Sequence, residues 1–294
     1  MTHTNISTDQ SALLSLKSQI ISDPFHLLDE SWSPATSVCH WVGVTCGSRH
    51  QRVKSLNISN MVLTGRIPAN IGNLTFLVSL DLGSNNFYGN LPQEMAHLRR
   101  LRFIRLSFNN FSGEVASWFG VLHQLQVLTL RNNSFNGSIP SLFSNISTLQ
   151  TLDLTFNLIG GKIPKEIGNH KHLRFLRLGG NKFIGSIPLS LSNASMLVNL
   201  DLSSNFLQGN IPEEIGNLQN LKFLAIDSNQ LTVMEAVDAN LITPRDNHLD
   251  RKLECVISIM KVAMDCCVES PSGRIDMKDV VVRLKTIQIQ LIAC

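Results

Sequence analysis

Arginine and phenylalanine recur together at Arg102, Phe103 and Arg105 and again at Arg174, Phe175 and Arg177, with Arg131 between the two groups. A guanidinium beside an exposed aromatic ring is recognition chemistry. The cation takes carboxylates, the ring takes apolar groups, and both residue types are enriched among binding hot spots. Bond-breaking chemistry has weaker candidates. His97, His123, His170 and His172 are scattered over variable positions and read as ordinary surface histidines. None of the six cysteines shows the C-x-x-C spacing of a zinc site, so no metal and no cofactor is expected. Cys39 and Cys46 bracket a short loop; they are either a disulfide, contributing about 2.5 kcal/mol by loop entropy, or two buried thiols.

Composition narrows the classes further. The chain has 294 residues, 43% hydrophobic, with a formal net charge of +3. That is enough apolar material for a core and too little positive charge to argue for nucleic acid. The most apolar stretch, 255–268, is short and carries Lys261 and Asp265, so no membrane span is expected. The first ten residues lack the basic and apolar runs of a signal peptide. Sequons N-x-S/T nevertheless stand at Asn5, Asn57, Asn73, Asn110, Asn132, Asn136, Asn145 and Asn193, which suggests secretory ancestry.

The elements that must position these residues are set by a repeat. L-D-L-G-S-N85, L-D-L-T-F-N157 and L-D-L-S-S-N205 align, and the asparagine column runs Asn85, Asn109, Asn133, Asn157, Asn181, Asn205, Asn229 in steps of 24. Prolines (Pro68, Pro92, Pro140, Pro164, Pro188, Pro212) and glycines (Gly65 to Gly209) keep the same step. Three columns in phase define a solenoid, and the pattern is that of the leucine-rich repeat. Each L-x-L is a short strand with its leucines inward, and each asparagine satisfies backbone groups of the turn that follows. Phe87, Phe111, Phe135 and Phe183 form a second apolar spine. Such rungs bury their leucines only against neighbours and need caps. At the N-terminal end, Ala12, Leu13, Leu16 and Ile20 share one face of a helix expected over 9–20.

D9-Q-S-A-L-L-S-L-K, C39-H-W-V-G-V-T-C46 and the L-x-G-x-I-P repeats resemble the ectodomain of plant leucine-rich-repeat receptor-like kinases over about residues 7–232. The resemblance implies an α/β solenoid: a right-handed horseshoe with a helical N-terminal cap, a Cys39–Cys46 disulfide, and a plasma-membrane or extracellular setting. It also implies a peptide or protein ligand on the strand-lined face, with a co-receptor ectodomain as a further partner. Under it the chain divides into an N-terminal cap (7–47), about eight repeats (48–232) and a tail (233–294). On the strand face one column reads Asp81, Arg105, Thr129, Asp153, Arg177, Asp201, Ala225, which predicts ion pairs Asp81–Arg105 and Asp153–Arg177–Asp201. With Phe103, Phe175 and Phe223 taken as exposed, the expected contact residues are Arg102, Phe103, Arg105, Arg131, Phe175 and Arg177. A glycan on Asn57 would obstruct one end of that face.

The periodicity stops after Leu231 and Thr232. The tail carries two apolar helical stripes, Val256 to Cys267 and Met277 to Leu291, with Asp276 as an N-cap. It resembles the last two helices of the kinase domain in the same receptors, where the residue matching Arg274 pairs with a glutamate of the activation segment. It is expected either to dock on the open end of the last repeat, covering Leu221, Leu224 and Ile226, or to stay mobile. No Gly-rich loop, V-A-I-K lysine, H-R-D or D-F-G motif is found. The expectation is therefore a non-catalytic recognition module, a receptor-like kinase with its middle missing. The rival readings are an inhibitor of cell-wall-degrading enzymes and, by family name only, a serine/threonine kinase.

Overall fold

A computed structural model describes residues 5–232 of the chain. The tail helices, Arg274 and the tail's docking on Leu221, Leu224 and Ile226 fall outside the described residues. The main sheet has nine strands: β1 (Val44–Cys46), β2 (Val53–Asn57), β3 (Ser79–Asp81), β4 (Phe103–Arg105), β5 (Val127–Thr129), β6 (Thr151–Asp153), β7 (Phe175–Arg177), β8 (Asn199–Asp201) and β9 (Phe223–Ala225). β1 lies antiparallel to β2, and every later pair is parallel. The register is one repeat per rung: Leu80 faces Ile104, then Leu128, Leu152, Leu176 and Leu200 in turn, all of them buried. A short 3-10 segment follows the proline slot in each repeat, from Ala69–Asn73 to Glu213–Asn217.

The asparagine column does what its spacing predicts. Asn109 Nδ2 donates to the Leu82 and Leu106 carbonyls at 2.9 and 3.1 Å, and its Oδ1 accepts the Phe87 N–H at 2.9 Å. Asn157 repeats this with Leu130, Leu154 and Phe135. Each side chain thus stitches two rungs together where the backbone turns away from the strand and has no sheet partner. Phe87, Phe111 and Phe135 stack behind it with centroids 6.2 Å apart at each step. The repeat glycines from Gly89 to Gly209, with Ser112 to Glu114 and their equivalents around them, turn at φ between +72° and +87°, a region open to glycine without strain.

The N-terminal cap differs in its bounds from the periodic reading. Helix α1 spans Ile6–Ser18, because Asn5 caps it and exchanges hydrogen bonds with Thr8, starting the helix a turn early. It stops before Ile20, which opens a three-residue strand, Ile20–Ser22, paired antiparallel with Thr64–Gly65. Two consecutive β-branched residues, Ile20 and Ile21, favour that extended exit. Ala12, Leu13 and Leu16 are buried as expected. Cys39 and Cys46 are joined by a disulfide, Cα–Cα 5.4 Å, and Trp32 stacks on Trp41 with centroids 5.4 Å apart. A buried ion pair closes the cap onto the first rung. Asp9 accepts from Arg52 Nε at 2.8 Å and Nη2 at 2.6 Å, and also from the Val53 N–H at 2.9 Å.

His170 is a correction to the surface reading. It is 3% exposed and fills the slot that Leu74, Leu98, Leu122 and Leu218 occupy in other repeats. Its Nε2 is buried without a hydrogen-bond partner, and burial holds its pKa below the ordinary histidine value.

Candidate ligand-binding face

Alternation along each strand sends one residue into the leucine core and its two neighbours out onto the face of the main sheet. On β4, Ile104 is buried between Phe103 and Arg105; on β7, Leu176 is buried between Phe175 and Arg177. Arg105 lies over the Phe103 ring at 5.5 Å. Arg174 and Arg177 lie over Phe175 at 5.9 and 5.2 Å. Three rungs at roughly 4.8 Å each separate the two clusters by about 14 Å. Arg102 is exposed in the row beside Arg105, whereas Phe103, Phe175 and Phe223 are half-buried, corrections to the expected open rings. At Phe103 and Phe175 the flanking arginine stems cover ring surface while keeping the charged heads in water.

The predicted ion pairs form only in part. Arg177 Nη1 reaches Asp153 at 3.5 Å, but its Nε donates to Asn199 rather than turning to Asp201. Among the described residues no ion pair joins Arg105 to Asp81 or Arg177 to Asp201. Local competition explains this. Each aspartate accepts from the backbone N–H two residues on: Gly83, Thr155 and Ser203, all at 3.1 Å. Asp153 and Asp201 also accept the hydroxyls of Thr155 and Ser203 at 2.7 and 2.6 Å. Asp81, bonded to its own turn, leaves Arg105 without an acidic partner among the described residues, whereas Arg177 stays tied to Asp153 and Asn199.

Arg131 sits one loop further on and gathers two residues that the sequence reading overlooked. Its guanidinium lies over Phe108 at 5.7 Å and Phe156 at 5.1 Å, from the rungs on either side. Both rings are about half exposed, 47% and 53%. Phe108 and Phe156 also hold φ at +58° and +55°, a left-handed backbone that bulky side chains rarely adopt. Elsewhere this column reads Asn60, Ser84, Asn132, Gly180, Ser204 and Ser228, small or amide residues suited to that turn. The aromatic exceptions in the column were the available signal. A Cβ at Gly180 would lie 2.6 Å from the Phe156 ring, so the glycine makes room for it.

The sequon asparagines are all exposed. Asn73, Asn145 and Asn193 end 3-10 segments on the side away from the main sheet, and Asn110 and Asn136 lie on short outer strands. Asn132 occupies a left-handed turn beside Arg131, and Asn5 caps α1. Asn57 is on β2, on the strand face itself, where its Oδ1 accepts from Ser59. Among the described residues no group of His, Cys, Asp or Glu could hold a metal ion, and no helix is long and apolar enough to cross a membrane.

Comparison with known proteins gives these features a context. The leucine-rich-repeat N-terminal domain family matches residues 6–47, and leucine-rich-repeat families match 100–122, 123–183 and 196–218. The chain is 46% identical over 80 residues to the LRR receptor-like serine/threonine-protein kinase EFR of Arabidopsis thaliana, covering 27% of this chain and 8% of that protein. It is 38% identical over 74 residues to Polygalacturonase inhibitor 2 of Arabidopsis thaliana, covering 24% of this chain and 22% of the inhibitor. The chain thus spans less than a tenth of the receptor kinase and under a quarter of the inhibitor. Among solved structures it resembles the Arabidopsis receptor kinase HAESA in complex with the peptide hormone IDA and the co-receptor SERK1. That match has 32% identity and TM-score 0.62, over 76% of this chain and 42% of that one. Residues 5–232 are therefore a leucine-rich-repeat solenoid with an N-terminal repeat cap, similar to the ectodomains of plant leucine-rich-repeat receptor kinases.

Proposed function

We propose that the chain is a non-catalytic recognition module that binds a peptide or protein ligand on the face of the main sheet. The observation that carries this reading is the pair of arginine–phenylalanine clusters whose aspartate neighbours bond to their own turns. Arg102, Phe103 and Arg105 form one anchor, Phe175 and Arg177 a second, and Arg131 with Phe108 and Phe156 a third on the rim. The likeness to a receptor kinase captured with a peptide hormone and a co-receptor supports it, and a co-receptor ectodomain is the second partner proposed. The same resemblance supports a glycosylated, extracellular setting; the reading of the tail, 233–294, as left from a kinase domain whose catalytic core is missing rests on the tail's own sequence pattern.

Panning the purified chain against a displayed library of random twelve-residue peptides tests the reading. Enriched peptides are expected to lose most of their affinity for an Arg105→Glu/Arg177→Glu variant; undiminished binding would reject this face. Thermal stabilisation by magnesium and ATP would overturn the non-catalytic assignment. The similarity to a polygalacturonase inhibitor favours a second reading, inhibition of a cell-wall-degrading enzyme. Inhibition of a fungal endopolygalacturonase at nanomolar concentration would put it first.

A further inference from the structure

A second cluster of cations, outside the strand-face anchors, stands where the cap meets the first rungs. Arg52, Phe76 and Arg100 occupy the same position in three successive repeats. The Phe76 ring carries a guanidinium from the rung on either side, Arg52 at 4.6 Å and Arg100 at 4.0 Å, with the His50 ring edge-on at 5.7 Å. Around this stack is a pocket of about 220 Å³ lined by Arg49, His50, Arg52, Lys54, Phe76 and Arg100 among others, and no acidic residue lines it.

The cations are not equivalent. Arg52 is held by Asp9, and its charge is answered from within the core. Arg49, Lys54 and Arg100 are exposed, and none of them has an acidic partner among the described residues. Stacking on Phe76 holds the Arg100 guanidinium by its face, which leaves its N–H edge free to donate. Three uncompensated cations around one concavity focus a positive potential on it. The pocket is also continuous with the strand face. The Val78 N–H donates to the Lys54 carbonyl and the Arg102 N–H to the Val78 carbonyl, both at 2.8 Å, so Lys54, Val78 and Arg102 are consecutive steps of one row.

We propose that this pocket binds carboxylates of an acidic stretch in a peptide ligand, extending the strand-face groove toward the cap. The proposal rests on reading the strand face as a peptide-recognition surface. The chemistry favours a peptide over an acidic sugar. A sugar ring gains most where an aromatic face is open to stack on, and at Phe76 guanidiniums from both neighbouring rungs compete for the ring. An aspartate or glutamate side chain needs only the donors, and charge-assisted bonds to guanidinium and ammonium are the strong ones.

Fluorescence anisotropy with a labelled hexaglutamate peptide at low salt is the test. The full chain is expected to bind it, and a Lys54→Gln/Arg100→Gln variant to bind at least about tenfold more weakly. A Lys165→Gln/Lys171→Gln variant, altered on exposed lysines elsewhere, should bind as the parent does. Equal binding by the Lys54/Arg100 variant, or an equal loss in the Lys165/Lys171 variant, overturns the site. Tighter binding of trigalacturonate than of hexaglutamate, abolished by Lys54→Gln/Arg100→Gln, overturns the peptide assignment in favour of a sugar. Inorganic sulfate matching hexaglutamate does so in favour of a bare anion hole. The two readings fail separately. If panned peptides need Arg105 and Arg177 while hexaglutamate ignores Lys54 and Arg100, the pocket falls and the strand-face reading stands. If hexaglutamate needs Lys54 and Arg100 but no peptide depends on Arg105 and Arg177, the strand-face reading falls.

Discussion

Phe108 and Phe156 occupy turn positions where every other repeat has glycine, serine or asparagine, and each holds a left-handed backbone that its own side chain opposes. Strain of this kind costs of order 1–3 kcal/mol per residue and persists where something else gains from it. Here the gain is two half-exposed rings clasping Arg131, whose Nε is buried without a hydrogen-bond partner. Replacing Phe156 with glycine should therefore stabilise the solenoid, by about 1 kcal/mol in urea unfolding, and weaken ligand binding by releasing Arg131. A variant that loses stability would show that the ring contributes packing beyond its strain. The period of 24 located this column, but hydrophobic patterning says nothing about the sign of φ. The ion pairs of the strand face escaped for a related reason: a column brings Arg105 near Asp81 without revealing that the Asp81 carboxylate is already bonded to the Gly83 N–H.

At the scale of elements, the period anticipated the strands, the asparagine bonds and the phenylalanine spine, because each follows from one residue type repeated in register. Elements that depend on a single long-range partner were not legible. The Asp9–Arg52 pair spans 43 residues and shows no repeat, yet it fastens α1 to β2. His170 was legible only as a member of its column, where its neighbours one repeat away are Ile146 and Ala194. Its place there ties stability to pH. Burial lowers its pKa in the fold, so the unfolded chain takes up a proton first as pH falls below about 6.5, the ordinary value. The contribution of a neutral His170 is intact above that value and is lost on acidification toward its lower folded pKa, with a slope of at most about 1.4 kcal/mol per pH unit. His170→Leu should stabilise the chain by about 1–3 kcal/mol at pH 7.5, since an unpartnered buried nitrogen is removed. Its advantage over the parent should widen at pH 5.5. A constant difference across that range would mean that His170 stays accessible to protons in the fold.

Across the whole solenoid, stability is a chain of nearest-neighbour terms, because each rung buries its leucines only against the next. The terms are not equal along the chain. Toward the N-terminal end lie the disulfide, the Trp32–Trp41 stack, the Asp9–Arg52 pair and the continuous Phe87–Phe111–Phe135 stack. Toward the other end the same spine is interrupted by Ile159 and resumes with Phe183 and Leu207, while His170 and Ala194 replace leucine in the column behind it. Leu224, on the last strand of the main sheet, is only partly buried. Opening should therefore start from β9 and move toward β6, and native-state hydrogen exchange should show amides of Ile104 and Leu128 protected more strongly than those of Leu200 and Leu224. Uniform protection from β4 to β9 would mean that the rungs unfold as one cooperative block. The gradient also bears on recognition. On the proposed strand-face reading, the Phe103 cluster lies on the rungs expected to be firmer and the Phe175 cluster on those expected to be softer, so a ligand touching both would bridge the gradient. Its binding should raise protection at Leu176 and Leu200 more than at Ile104, because the less stable rungs have the larger population of open states to lose. Equal gains at both anchors would indicate a ligand that meets a surface already rigid throughout.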